Sequence, residues 1–165
     1  MSKRCTVFAV LSVIIMIGIF MFSAKNGEES TDQSLKVGMA VGKLTVKNFD
    51  KLPEQEQISF AKKINLVVRK SAHFTEYMLL GLMLTGFYTG IKKYKMRFQL
   101  LLAWLTGTLY ACTDEFHQRF VPGRACSPID VMIDSSGVLT GVLIMTLCLL
   151  IIRLVRRKKA ENKSK

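Results

Sequence analysis

The most constraining feature of the sequence is a run of 20 consecutive residues, 5–24, without a charged side chain. A helix rises about 1.5 Å per residue, so this run can cross a hydrocarbon core about 30 Å thick. Three further uncharged runs follow, at 77–91, 98–113 and 135–152. The second reaches the length of a span if its helix begins near Ser71. The sequence therefore predicts an all-α integral membrane bundle of four transmembrane helices.

The segments between these runs define the predicted organisation. Residues 1–24 are a cytoplasmic start and the first transmembrane helix, and residues 25–70 are a helical, amphipathic outer segment between the first and second spans. The remaining chain is divided into three further spans and a basic cytoplasmic tail, at about 71–91, 98–113, 131–152 and 153–165.

The first run has a second interpretation, as a secretory signal sequence, because Lys3 and Arg4 precede it. The run is long for the apolar part of such a signal. Bulky Phe22 also stands where cleavage after Ala24 would prefer a small residue. An uncleaved span is therefore favoured.

The basic residues follow the ends of the predicted spans. The chain has 24 Lys and Arg against 12 Asp and Glu, a net charge of +12, although half of its residues are hydrophobic. Three basic groups fall on one side if all four spans are real, and the bias of Lys and Arg toward the cytoplasm places both termini there. We expect this charge to bind anionic membrane lipid, and no nucleic-acid partner is expected. The groups are Lys3 and Arg4; Lys92, Lys93, Lys95 and Arg97; and Arg153, Arg156, Arg157, Lys158, Lys159, Lys163 and Lys165.

The outer segment carries two helical patterns. Ser34 is the predicted cap of a first helix, residues 48–52 break it, and Pro53 with the acids after it marks a second helix that continues into the second span. An amphipathic element on the membrane surface is the favoured interpretation, and a substrate lid is the alternative. The residues along one side of the first helix are Leu35, Met39, Gly42 and Val46.

Polar residues collect at the predicted outer ends of three spans. Arg69, His73 and Glu76 are four and three residues apart, so they share one face of a helix, and Asp130 and Asp134 do the same in the last span. Ionisable groups close to the hydrocarbon core are costly unless they are paired or hydrated, which predicts one shared site. Its predicted ligand-binding members are Arg69, Lys70, His73, Glu76, Tyr77, Asp114, Glu115, Gln118, Arg124, Asp130 and Asp134.

Two interpretations of this cluster require no anionic ligand. The charges can form an ion-paired network that holds three helices together. They can also form a metal site, but their spacing is not that of a helical ligand pair and the nearby cations would repel a metal. No metal or other cofactor is predicted. The residues of such a metal site would be Asp114, Glu115, His117 and Asp130, with His73 in reserve.

Two further interpretations give the cluster a chemical function. Acid–base catalysis would pair His73 or His117 with a carboxylate, because His titrates near neutral pH. Recognition of an anionic headgroup is preferred, because the planar fork of Arg donates two parallel hydrogen bonds to phosphate. The candidate catalytic residues are His73, Glu76, Asp114, Glu115 and His117. The candidate cations for a headgroup are Arg69, Lys70, Arg119 and Arg124.

Small residues recur at helical spacing in two of the spans. Gly86 and Gly90 are four residues apart, as are Gly137 and Gly141. Such pairs allow two helices to approach closely. We expect them to pack inside one bundle rather than to form a dimer.

Three stretches of the sequence carry a family resemblance: FSAKNGEESTDQS, RKSAHFTEYMLLG and DEFHQRFVPGRACSPIDVMIDSSG. Together they resemble the VanZ-like family of small bacterial membrane proteins over most of the chain. Lys25 and Asp134 depart from the family pattern, because they stand where Gln and Asn are common. The residues that match its motifs are Lys70, His73, Glu76, Tyr77, Asp114, Glu115, Gln118, Arg124, Asp130 and Gly137.

The resemblance implies a protein of the bacterial cell envelope. The founding member of the family is associated with low-level resistance to the lipoglycopeptide teicoplanin. We therefore expect the cluster to bind an anionic envelope lipid headgroup or to antagonise a lipoglycopeptide antibiotic, with membrane lipids as partners. The alternative is a membrane enzyme that acts on a lipid-phosphate headgroup by acid–base or metal-assisted chemistry. Transport is disfavoured, because no internal repeat supplies two alternating halves.

Overall fold

The computed structural model describes residues 3–91 and 93–162, and in these ranges it contains five α-helices and no strand. A short 3-10 turn, Phe49–Lys51, lies between the second and third helices. The all-α prediction is confirmed. The helices are α1 (Lys3–Ser23), α2 (Gly27–Thr45), α3 (Glu54–Tyr88), α4 (Met96–Gln118) and α5 (Pro128–Glu161).

Helix α3 is the centre of the molecule and packs against α1, α2, α4 and α5. It is a single helix of 35 residues, so the second outer helix continues into the apolar segment as predicted. A helix of this length extends about 50 Å at 1.5 Å per residue. Its second half contributes to the core formed by Ile19, Tyr77, Leu80, Leu84, Ala103, Ala111, Val138 and Val142.

Glycines bring α3 and α5 into backbone contact. A Cβ atom on Gly137 would collide with the carbonyl of Phe74, and one on Gly141 would collide with the carbonyl of Met78. On another face of α3, Gly86 faces a side chain of α1. The prediction that these small residues pack inside one bundle is confirmed, because their close neighbours belong to this chain.

Helix α2 begins earlier than the sequence pattern indicated. The predicted cap, Ser34, was wrong: the cap is Asn26, whose side chain accepts a hydrogen bond of 2.8 Å from the backbone N–H of Glu29. Ser34 is instead buried in the middle of α2. Its hydroxyl forms a hydrogen bond with Asn65 of α3, so α2 packs along the first half of α3.

The predicted break between the two outer helices is confirmed. Asn48 has a positive φ of 58°, a left-handed conformation that Asn tolerates better than most residues. The following turn places Phe49 against Gly42 of α2. The outer segment is therefore a helical hairpin made of α2 and the first half of α3.

Contacts at the opposite end of the bundle bring the basic groups together. The Cys5 thiol of α1 lies 3.6 Å from the carbonyl oxygen of Phe87 in α3. The Arg153 guanidinium of α5 lies 3.6 Å from the sulfur of Met96 at the start of α4. The described members of the three basic groups therefore lie at one end of the molecule, as predicted. Three of their members, Lys92, Lys163 and Lys165, lie outside the described residues.

Two helices, α1 and α5, are long and apolar enough to cross a membrane. Within the described residues, α3 and α4 do not reach the same apolar content, because polar residues such as His73, Glu76 and Asp114 lie close beside their apolar stretches and shorten them. Of the four predicted spans, the first and the last are thus supported.

Candidate functional site

The candidate site lies at the end of the bundle opposite the basic groups, where α1 and α4 end and α5 begins. It contains two neighbouring polar cavities. The larger cavity has a volume of about 240 Å³, and its polar lining is Arg69, Lys70, His73, Glu115, Gln118, Asp130 and Asp134. The smaller has a volume of about 170 Å³, and its polar lining is Ser30, Gln33, Ser34, Arg69, His73, Glu76 and Arg124.

Helical spacing explains how these side chains meet. Arg69, His73 and Glu76 lie on one face of α3, as their intervals of four and three residues predict. Asp130 and Asp134 lie in the same way on the first turns of α5. Arg69 and His73 line both cavities, so this face of α3 forms a wall that the two cavities share.

Asp114 is the centre of a buried hydrogen-bonded group beside the cavities. Its Oδ2 atom accepts a bond of 2.8 Å from the Ser23 hydroxyl and one of 3.3 Å from the Gln118 amide. The same amide donates to the Ser23 hydroxyl at 3.2 Å. All three residues are at most 4% exposed. This group joins the end of α1 to the end of α4.

Arg124 completes this connection. Its Nε and Nη2 atoms donate to the backbone carbonyls of Lys25 and Phe22, each at 3.2 Å. Its Nη1 atom donates to Gln118 Oε1 at 3.3 Å. Carbonyl groups at the end of a helix lack partners within that helix. Arg124 therefore supplies donors to the end of α1, and each of its guanidinium nitrogens already has an acceptor.

The loop that carries Arg124 is held in place by two glycines. The backbone N–H of Gly27 donates to the carbonyl of Pro122 at 2.9 Å. Gly123 has a φ of +73°, which glycine adopts without steric cost. A Cβ atom on Gly27 would collide with the carbonyl of Gly123, so the loop rests directly on the first turn of α2.

Glu115 and Asp130 also have partners. Glu115 Oε1 accepts a hydrogen bond of 2.7 Å from the backbone N–H of Ser127, which fixes the loop to α4. Burial raises the pKa of the Glu115 carboxyl, and the bond from Ser127 opposes part of this shift. The Lys70 ammonium and the Asp130 carboxylate form an ion pair of 2.9 Å, with each side chain about a third exposed.

Arg69 differs from the other cations that line the cavities. It is half-buried and faces both cavities. Among the residues that the structure describes, none forms a hydrogen bond or an ion pair with its guanidinium. Five N–H donors are thus available at this position.

The remaining predicted residues lie outside the two cavities. Tyr77 is fully buried in the core. The ring of His117 packs on Phe20 of α1, with centroids 4.6 Å apart, and lines neither cavity. Arg119 is exposed and lines neither cavity. Within residues 3–91 and 93–162, no group of three or more His, Cys, Asp or Glu side chains has a geometry suited to a metal ion.

Sequence reasoning did not assign a role to two residues that build the site. Ser23 donates a hydrogen bond to Asp114. The sequence signal for this role was a hydroxyl group at the end of an otherwise apolar run. Gly27 receives the loop of Pro122 and Gly123. A Pro-Gly pair is a turn signal, but nothing in the sequence indicates which surface such a turn contacts.

Comparison with known proteins identifies a protein family. A family model described as VanZ/LLP1 matches residues 8–151, which include the four apolar runs except at their outermost residues. No curated protein and no solved structure matches the chain.

Proposed function

The chain belongs to the VanZ/LLP1 family, and we propose that it is a multi-pass membrane protein that binds the anionic headgroup of an envelope lipid. Family membership and the two apolar helices, α1 and α5, indicate a membrane protein. The proposal adds the number of spans, their orientation and the ligand. The observation that carries the ligand is the guanidinium of Arg69, which lies between two polar cavities and has no partner among the described residues.

The proposed membrane placement has four spans, with the second and third in α3 and α4. The basic groups at one end of the bundle would face the cytoplasm, where Lys and Arg are enriched beside membrane spans. Both termini would then be cytoplasmic. The two cavities and the α2–α3 hairpin would lie at the outer membrane surface, within reach of lipid headgroups.

The charge distribution supports an anion at Arg69. Lys70 is paired with Asp130, and each guanidinium nitrogen of Arg124 donates one hydrogen bond, to a carbonyl group or to Gln118. Arg69 has no such partner within residues 3–91 and 93–162, and a guanidinium offers two parallel hydrogen bonds to phosphate. A phosphate is therefore expected to bind Arg69 in preference to the other two cations.

The carboxyl groups around Arg69 narrow the choice of headgroup. Glu76 lines the smaller cavity and Asp134 the larger one, and a headgroup made only of phosphate would leave both without donors. A headgroup that also carries hydroxyl or ammonium groups would satisfy them. The proposed ligand is thus a phospholipid of the phosphatidylglycerol type, with one phosphate and free hydroxyls.

The direct test measures lipid retained on the protein. Wild-type protein and two variants, Arg69→Gln and Arg119→Gln, would be extracted gently from the membrane and examined by native mass spectrometry. Phosphatidylglycerol should remain on wild type and on Arg119→Gln, whose side chain is exposed and outside the cavities, and should be lost from Arg69→Gln. Equal retention on all three proteins would refute the headgroup site.

Family membership also motivates a test against lipoglycopeptides. If headgroup binding alters access of such an antibiotic to its target, expression of this chain should raise the inhibitory concentration of teicoplanin in a susceptible host. Arg69→Gln should remove that increase. No increase with wild type would restrict the proposed function to lipid binding.

An enzyme acting on a lipid-phosphate headgroup is the second candidate, and His73 is the observation that favours it. Its ring lines both cavities beside carboxyl groups from α3, α4 and α5, which suits a general acid or base. His117 packs on α1 and is not used in this proposal. A cleaved headgroup that accumulates with wild type and not with His73→Gln, while lipid binding persists, would favour the enzyme.

A further inference from the structure

An apolar groove runs along the α2–α3 hairpin next to the smaller polar cavity. Its volume is about 670 Å³, within the range of about 300–1,000 Å³ typical of ligand pockets. Aliphatic side chains from both helices form most of its walls, and they include Val37, Val41, Ile64, Val67, Val68 and Leu79.

The groove and the smaller polar cavity are continuous. Val68, Ala72 and Glu76 of α3 line both, and so does Val37 of α2. The three α3 residues are four apart, so they form a stripe along one helix face. A molecule that reaches Arg69 with its polar end can therefore lay an apolar chain along the same helix.

The groove has exposed aliphatic side chains on a segment that would lie outside the bilayer. Val37 is 51% exposed and Val67 is 65% exposed, and both precede the proposed second span, which begins near residue 71. Apolar surface in contact with water is unfavourable by about 25 cal/mol per Å². Leu79, at the other end of the groove, would lie within the hydrocarbon region. The groove therefore connects the membrane interior to the polar cavity.

We propose that this groove binds one acyl chain of the anionic phospholipid whose headgroup occupies the cavity at Arg69. This inference rests on the proposed function, because the position of the bound headgroup determines which acyl chain enters the groove. The groove would hold part of the lipid beside α2 and α3, so that the protein recognises a whole amphiphile rather than a headgroup alone.

The test measures affinity as a function of chain length. The ligands are glycerophosphoglycerol, which has no chain, and lysophosphatidylglycerols with short, medium and long acyl chains, added to purified full-length protein in detergent. Val41→Trp fills the groove, and Val67→Asp makes an already exposed part of it polar. Leu44→Trp is the matched control, because Leu44 is 87% exposed on α2 and lies outside the groove.

We expect wild type and Leu44→Trp to bind the long-chain ligand at least tenfold more tightly than the short-chain one. Val41→Trp and Val67→Asp should lose most of that increase and still bind the shortest ligand as wild type does. If both groove variants keep the full increase, the acyl-chain site is refuted. Teicoplanin is titrated against the same variants, and if its affinity depends on Val41 and Val67 while that of no lysolipid does, the lipid is the wrong occupant.

Arg69→Gln separates failure of this inference from failure of the proposed function. It should weaken every member of the series by a similar factor, because all share one headgroup. If Arg69→Gln binds the series as wild type does, the headgroup site itself is refuted. If Arg69→Gln weakens binding but acyl-chain length has no effect in any variant, the headgroup site is supported and the groove does not bind an acyl chain.

Discussion

The two sides of the polar end differ in how their side chains are engaged. On one side, Ser23, Asp114, Gln118 and Arg124 bond to one another and to the end of α1; we call these four residues the bonded wall. On the other side, Arg69, His73 and Glu76 of α3 face the cavities; we call these three the open wall. The first side holds helices together, and the second lines the two cavities.

The comparison shows that residue type alone does not identify a binding residue. Arg124 matches the family motif and Arg69 does not, yet Arg124 has acceptors at each guanidinium nitrogen. A motif can be retained for the assembly of a site as well as for its ligand. The bonded and open walls therefore predict opposite effects of substitution on stability and on binding.

The largest loss of stability is expected where the loop meets α2. Gly27→Val would force a side chain into the backbone of Gly123 and lower the free energy of unfolding by about 3 kcal/mol, measured by thermal unfolding in detergent. Gly18→Val is the control, because a Cβ atom on Gly18 has no neighbour within 4 Å. Similar losses in both variants would mean that the loop contact does not stabilise the bonded wall.

Arg124→Ala should give the second-largest effect, a loss of about 2 kcal/mol. The Lys25 carbonyl and Gln118 Oε1 lose the donor that Arg124 supplies, and the Phe22 carbonyl keeps only the 3.3 Å bond from the Lys25 N–H. Arg124→Lys should restore little of the lost stability, since one ammonium cannot reproduce three separate donors. Chemical unfolding of both variants measures this. Full stability in Arg124→Lys would show that charge, rather than hydrogen-bond geometry, holds the end of α1.

The ion pair between Lys70 and Asp130 should contribute less than about 1 kcal/mol, because both side chains are about a third exposed and water screens their attraction. A double-mutant cycle with Lys70→Gln and Asp130→Asn measures the coupling energy. A coupling energy of several kcal/mol would instead show that this ion pair makes a large contribution to the stability of the bundle.

Arg69→Gln should have the smallest effect on stability, within about 0.5 kcal/mol, because the guanidinium has no partner among the described residues to lose. It should still reduce affinity for phosphatidylglycerol about tenfold, which corresponds to about 1.4 kcal/mol of binding free energy. Unfolding and lipid titration on the same preparation give both values. A loss of stability as large as that of Arg124→Ala would remove the distinction between the two walls.

The sequence predicted those parts of the fold that depend on local pattern. The long apolar runs, the break before Pro53 and the continuous helix after it follow from hydropathy and helix signals. The predicted start of α2 was wrong, although the sequence contains the signals of the actual start. Asn26, followed by Glu28 and Glu29, is a strong helix start, and Ser34 resembles a cap only until its hydrogen bond to Asn65 is known.

The candidate site was predictable as a set of residues but not as a set of contacts. Helical spacing placed Arg69, His73 and Glu76 on one face. The engagement of Arg124 depends on a loop whose course is set by the positive φ of Gly123 and by its contact with Gly27. Such long-range contacts have no local signature, so spacing could not distinguish the bound arginine from the available one.

The hydrogen bonds of Arg124 also set an order of assembly. Its acceptors in and after α1, Phe22 and Lys25, lie 102 and 99 residues earlier in the chain. During synthesis, α1 is made first, and its last carbonyl groups cannot receive these donors until the loop before α5 has emerged. The cavities consequently form only after the residues up to Asp134 have been made, and a shorter chain lacks the complete set of lining residues.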